Sequence, residues 1–437
     1  MGSSTTLATI TRFDMVKVAI ASVLGTTIEW YDFFIAATAA SLVWPAVFYP
    51  SQEPAVGILL SFTTFGLGFV TRPIGAVLFG HFGDRLGRRG MLIWTLITMG
   101  IGTLGIAVTP SYAVIGIWGG ILVTIFRLIQ GLGVGGEWGG ATSLLTEYAE
   151  RHGSRWRVLW SVWVQEGVPF AFVAANATFL ILLLFISRSD LINWAWRIPF
   201  YIGVLVIVIG VFIRYKIAES PLFTQIFQKK AIEKIPFASL MRNQWKTVLL
   251  LTGTWLYINS WGYLVPAFMQ TYLTKFLSFP LTFALTGVII ATGINVFVLI
   301  LAAYAGDKIG KKKLLIISAL ITAILSFPFF MLINTGNPAL IILALVLMFN
   351  AANSGYAVIA SFFSEQFPTK YRYSGVSFCY HLGGVLSGGL APILASTMLV
   401  LYKGINAWPY IAAIGLTYTI ISLITILAIK EKNKIEE

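Results

Sequence analysis

Apolar and polar positions divide this chain into twelve long apolar runs separated by short polar breaks. The runs lie near 16–46, 56–80, 90–109, 113–140, 158–187, 194–214, 246–274, 282–305, 314–333, 339–363, 375–401 and 408–429. Each matches the roughly 20 residues that a helix needs to cross a bilayer. Strands of a membrane barrel would alternate over about ten residues, whereas these runs are continuous. The pattern therefore predicts helices, which satisfy their own backbone hydrogen bonds inside lipid.

Composition strengthens that reading. Of the 437 residues 57% are hydrophobic and only 11% charged, against about 25% charged in a soluble domain. The first run is too long, and carries acids in its middle, to be a cleaved leader. A net charge of +13 would invite a nucleic-acid partner, but its distribution says otherwise. Of 30 Lys and Arg, 24 fall at the termini, on loops joining even-numbered runs to the next odd one, or at the run ends that border them. That asymmetry places both termini in the cytoplasm, and the charge reads as topology. The single Cys379 and the scattered His81, His152 and His381 leave no disulfide and no metal cluster, so no metal or other cofactor is expected.

Two basic stretches suggest internal duplication. Gly80-His81-Phe82-Gly83-Asp84-Arg85-Leu86-Gly87-Arg88-Arg89 follows the second run, and Gly306-Asp307-Lys308-Ile309-Gly310-Lys311-Lys312-Lys313 follows the eighth. Their glycines predict a tight turn. Glu365 through Arg372 likewise mirrors Glu147 through Arg155. The stretch 215–245 is the longest polar segment and too short for a separate domain.

Charges inside the runs carry the candidate chemistry, because an ionised group at mid-bilayer costs several kcal/mol unless paired or wetted. Glu29 and Asp32 share a face of the first helix. In the fourth, Arg127, Gln130, Val134 and Glu137 form a polar stripe that must face the protein interior. Counting along the helices puts Arg127 level with Asp32, and the two are expected to pair; Glu137 lies deeper towards the cytoplasm. Gln165 and Glu166 add another acid in the fifth run. Asn259 and Tyr263, four apart in the seventh, are expected to face a ligand, as is Tyr31. Arg72 is expected to snorkel or to brace the nearby basic loop, and His381 to be structural.

The chain resembles the major facilitator superfamily and, within it, the metabolite:proton symporter family of shikimate, α-ketoglutarate, citrate and proline/betaine carriers. The resemblance rests on Glu29-Trp30-Tyr31-Asp32-Phe33, on Arg72-Pro73 with the Gly80–Arg89 stretch, on Arg127 through Glu137, on Trp196-Arg197-Ile198-Pro199-Phe200, and on Glu219-Ser220-Pro221 with Phe223. It implies an all-α membrane fold of two six-helix bundles, 16–214 and 246–430, joined by the linker 215–245 and flanked by cytoplasmic tails 1–15 and 431–437. It implies a central site opening alternately to each side. By the same likeness Asp84 and Arg88 belong to a cytoplasmic latch with Glu147 as partner and Asp307 as counterpart; Arg85, Glu365 and Arg372 join this gating set. Asp32 would carry the proton beside Arg127, with Glu29 and Glu137 as further proton-coupling candidates. The acid at Glu166 departs from the family pattern.

The expected function is proton-coupled import of a small polar metabolite, with the bilayer and H+ as partners and a monomer as the working unit. One mid-depth arginine favours a carboxylate, although four buried acids would also suit a zwitterion or amine. An uncoupled facilitator or an exporter of the same fold is the alternative. A membrane enzyme finds no support, since no catalytic grouping is legible.

Overall fold

The structure, a computed structural model, describes residues 12–51, 53–86, 88–135, 138, 142, 156–216 and 236–431. Among them no strand occurs, and the helices group into twelve spans. The first is Arg12–Leu42, the second Pro54–Val70 continued by Arg72–Leu86, the third Arg88–Val108 and the fourth Trp118–Val134. Arg157–Ser161 with Trp163–Phe185 makes the fifth, and Ile198–Lys216 the sixth. The seventh starts at Pro236–Tyr263, the eighth is Leu281–Ile309 and the ninth Lys311–Ile333. Pro338–Ser354 with Tyr356–Gln366 makes the tenth, Thr369–Gly383 and Leu390–Leu401 bound the eleventh, and Trp408–Ala428 is the twelfth. Eight helical stretches are long and apolar enough by themselves to cross a membrane. The first span misses that criterion while holding the buried polar residues Thr26, Glu29, Asp32, Thr38 and Ser41. Outward-facing side chains such as Phe185, 82% exposed, are apolar, as a lipid-facing surface requires.

Three boundaries differ from the sequence expectation. The seventh helix begins at Pro236, inside the expected linker, and kinks at Gln244. Proline suits a first helical turn, and Leu240 is buried while Phe237 lies 4.8 Å from the Phe378 ring of the eleventh span, so packing holds this turn in place. In the second basic stretch the expected turn shrinks to its last glycine, while the last glycine of the first, Gly87, lies outside the described residues. Helix continues through Gly80 and Gly83 to Leu86 and restarts at Arg88, and in the second copy only Gly310 leaves the helix, at φ 98°. Finally, the seventh and eleventh spans contain π-helical segments, Leu264–Phe268, Tyr272–Phe276 and Gly384–Gly389. Pro266 removes one backbone donor in the first of these, and the freed geometry is stabilised when Gln270 Nε2 donates to the Pro266 carbonyl at 2.7 Å.

The halves meet where the fifth span packs on the eighth and the second on the eleventh. Near the outer end, Ser41 and Thr271 share a 2.7 Å hydroxyl contact. Near the inner end, Val158 and Leu159 N–H groups donate to Asp307 at 3.0 and 2.9 Å, and Trp156 stacks on Tyr304. The described residues thus bridge the two halves near both ends.

Candidate functional site

At the centre of the first half, Asp32 is fully buried. Thr103 Oγ1 lies 2.5 Å from its Oδ1, and Gln130 Nε2 donates to Oδ2 at 2.5 Å. Arg127 does not reach Asp32. Its Nη1 donates to Gln130 Oε1, and its Nη2 to the Phe65 carbonyl at 3.2 Å. The expected direct pair is therefore a relay through Gln130, because three residues of helix place the amide between the two charges. The second span leaves room for this: a Cβ on Gly68 would stand 2.7 Å from Arg127 Nη2.

Arg72 corrects its expected role as a loop brace. It is only 1% exposed, and its Cζ lies 3.9 Å from the centroid of Phe33, 4.4 Å from Phe69 and 5.3 Å from Trp30. Arg127 Cζ is 4.5 Å from the same Phe33 centroid. One ring thus holds two guanidinium groups by cation–π attraction. The helix stays continuous past Arg72, Thr71 keeping helical dihedrals and accepting from Gly75 N–H at 2.8 Å. The Tyr263 hydroxyl from the second half lies beside Arg72 without a well-formed hydrogen bond. Its ring is the hub of an aromatic cluster spanning both halves, 5.2 Å from Phe69, 5.7 Å from Phe65, 6.1 Å from Phe33 and 6.3 Å from Phe172.

The other candidates are spread along this axis. Asn259 donates to Ser387 Oγ at 3.2 Å, where the absence of a side chain on Gly388 admits it, since a Cβ there would lie 2.5 Å from Asn259 Nδ2. Tyr31 contacts Thr178 at 3.1 Å. Glu29 is buried and lies in electrostatic reach of Arg72. Gln165 and Glu166 are fully buried nearer the cytoplasm. Of the gating set, Asp307 crosses the inner seam as described, Lys311 Nζ pairs with Glu365 at 2.8 Å, and Arg372 Nε donates to the Ser364 carbonyl at 3.1 Å. Glu137 and Glu147, and the side chains of Asp84, Arg85 and Arg88, lie outside the described residues. His381 is buried beside Tyr380.

Sequence reasoning missed Thr103, Asn176 and Gln270 as members of the polar network. Gln270 Nε2 donates to Asn176 Oδ1 at 2.6 Å across the halves, and Thr38 donates to the same oxygen at 3.3 Å. A lone hydroxyl or amide in an apolar run is a weak signal, since such groups often just bond their own helix.

Two helical halves, closed around buried charges and linked through an aromatic centre, define a membrane carrier. The chain belongs to the Major Facilitator Superfamily, whose family model matches residues 30–392. It is 36% identical over 419 residues to the Inner membrane metabolite transport protein YhjE of Escherichia coli, covering 94% of this chain and 93% of that protein. It is 32% identical over 421 residues to the Shikimate transporter of the same organism, covering 96% and 95%. Among solved structures, the xylose transporter XylE from E. coli, in a partially occluded inward open conformation, superposes with a TM-score of 0.73 at 18% identity, covering 96% and 99%. The chain is a multi-pass plasma-membrane transporter of small metabolites, and not an enzyme.

Proposed function

We propose that this carrier imports a carboxylate-bearing metabolite together with a proton, by alternating access, with Asp32 as the proton carrier and Arg127 as the carboxylate-binding residue. The reading rests on the hydrogen bonds at Thr103. Its hydroxyl has one proton but two acceptors in range, Asp32 Oδ1 at 2.5 Å and the Met99 carbonyl at 2.9 Å. If Asp32 is ionised, Thr103 donates to it. If Asp32 is protonated, it donates to Thr103, and Thr103 turns to Met99. Either protonation state therefore fits without moving a heavy atom.

Arg127 supplies the link to substrate. Its Nε is buried without a partner, and a buried unsatisfied donor beside a charge favours an anionic ligand. A carboxylate drawing the guanidinium away from Gln130 would weaken the donor set around Asp32 and favour its protonation. Coupling follows when only the doubly loaded and empty forms exchange sides. Tyr263, Asn259 and the surrounding rings would hold the body of the metabolite, and one copy of the chain suffices for the cycle. Uptake into proteoliposomes with and without a pH gradient tests the coupling. Uptake that only equilibrates, and is unchanged when the gradient is collapsed, would point to a facilitator instead.

A further inference from the structure

The inner half of the fifth span runs along the seam between the two halves, and several contacts fix its register. Val158 and Leu159 N–H groups donate to Asp307. With its amide oriented to satisfy both neighbours, Gln165 donates to the Ser161 carbonyl and accepts from Ala360 N–H in the tenth span, each at 3.1 Å. Val173 Cγ2 lies 3.9 Å from where a Cβ on Gly293 would stand. Positions 159, 166 and 173 lie two turns apart on one face, as do 307, 300 and 293 on the antiparallel eighth span. That register places Glu166 in the seam, level with Ile300.

Glu166 is 0% exposed, and neither carboxyl oxygen has a hydrogen-bond partner. Among the described side chains, the titratable groups on the first, eighth and tenth spans around it are otherwise engaged. On the first span, Asp32 is held by Thr103 and Gln130, Tyr31 by Thr178, and Glu29 lies in reach of Arg72. On the eighth, Asp307 is held by two N–H groups, and Tyr304 stacks on Trp156 beneath Lys308. On the tenth, Glu365 pairs with Lys311, and Tyr356 shares a hydrogen bond with Tyr380. Arg157 opens the fifth span below, while Arg188, Asp190 and Arg197 belong to its far outer end. None of these side chains comes within hydrogen-bond or ion-pair distance of the Glu166 carboxyl.

A carboxylate without cation or donor in such an interior costs several kcal/mol and is relieved by taking a proton. We propose that Glu166 is a second proton-binding site, occupied while the seam between the fifth and eighth spans is closed and vacated when that seam opens to the cytoplasm. The step is a proton transfer alone: the carboxyl O–H bond breaks and cytoplasmic water takes the proton. The closed form then binds one proton more than the open form. Low cytoplasmic pH favours closure, and the ratio of open to closed rises about tenfold per pH unit above the range of a hydrated glutamic acid, for as long as the closed form keeps its proton. The site rests on alternating access and is independent of the role of Asp32.

The test uses the full chain in lipid nanodiscs, spin-labelled at Arg157→Cys and Ile309→Cys in a Cys379→Ala background. Inter-label distances are measured from about pH 5 to about pH 9, a window that lies above the ordinary glutamic acid value of about 4.3. Expected is a wild-type distance that lengthens as pH rises. Glu166→Gln and the apolar Glu166→Leu should both keep the short distance throughout, while Asp32→Asn retains the trend. Two results would overturn the proposal: wild-type pH dependence in both Glu166 variants, or a trend lost in Asp32→Asn and kept in Glu166→Gln. Either failure leaves the Asp32 reading to its own uptake test.

Discussion

Gln130 stands between Asp32 and Arg127, donating its amide N–H to the carboxylate and accepting from the guanidinium at its carbonyl oxygen. The acid and the base of the centre thus communicate without touching. A direct ion pair would lock both charges together, whereas a relay leaves Arg127 free to turn to a ligand. Gln130 is then the residue that reports the occupancy of one to the other.

Gln130→Met keeps the volume and removes both bonds, each worth about 1.5–3 kcal/mol to a charged partner. We expect gradient-driven accumulation to fall at least about tenfold while counterflow exchange persists. Proteoliposome uptake beside counterflow measures this, and an unchanged ratio of the two would deny the relay.

Asp307→Asn keeps the shape at the inner seam but takes the charge from two hydrogen bonds to Val158 and Leu159. Charge-assisted bonds are about twice as strong as neutral ones. The equilibrium should shift towards the inward-open form by about tenfold, read as faster labelling of a cysteine placed at Ser161. Slower labelling would mean that Asp307 does not hold this end closed.

Arg127→Lys retains a positive charge but loses the planar fork that grips a carboxylate. Affinity for the transported carboxylate should drop by about ten- to a hundredfold, the value of one or two charged hydrogen bonds. Calorimetric titration decides it, with near-normal affinity indicating a ligand that Arg127 does not bind.

Gly131 lets the fourth span touch the second, since a Cβ there would fall 1.8 Å from the Gly68 carbonyl oxygen. Overpacking costs about 1–3 kcal/mol and more where backbone must yield, so Gly131→Ala should lower the melting temperature clearly. Gly25→Ala, which meets nothing within 4 Å, is the control and should melt at or above wild type.

The helical, membrane-spanning class was legible because continuous apolar runs have one solution in lipid. The depth of Asp32 and Arg127 was legible too, since helical rise converts position into height. What lies between them was not: Gln130 shows on the helical wheel, but Thr103 is one hydroxyl in an apolar run. Arg72 misled because an arginine near a basic loop ordinarily belongs to it, whereas here its guanidinium packs on the Phe33 ring of the first span. The π-helical segments left only ambiguous signs, a proline and a glycine run.

The central claim is that Asp32 carries the driving proton, and Asp32→Asn tests it most directly. The amide keeps the shape and most of the hydrogen bonding to Thr103 and Gln130 while fixing the neutral state. In proteoliposomes, pH-gradient-driven accumulation and substrate counterflow are measured on the same preparation. The account predicts counterflow near wild type with accumulation abolished, while Glu29→Gln retains accumulation. Full accumulation by Asp32→Asn would contradict it.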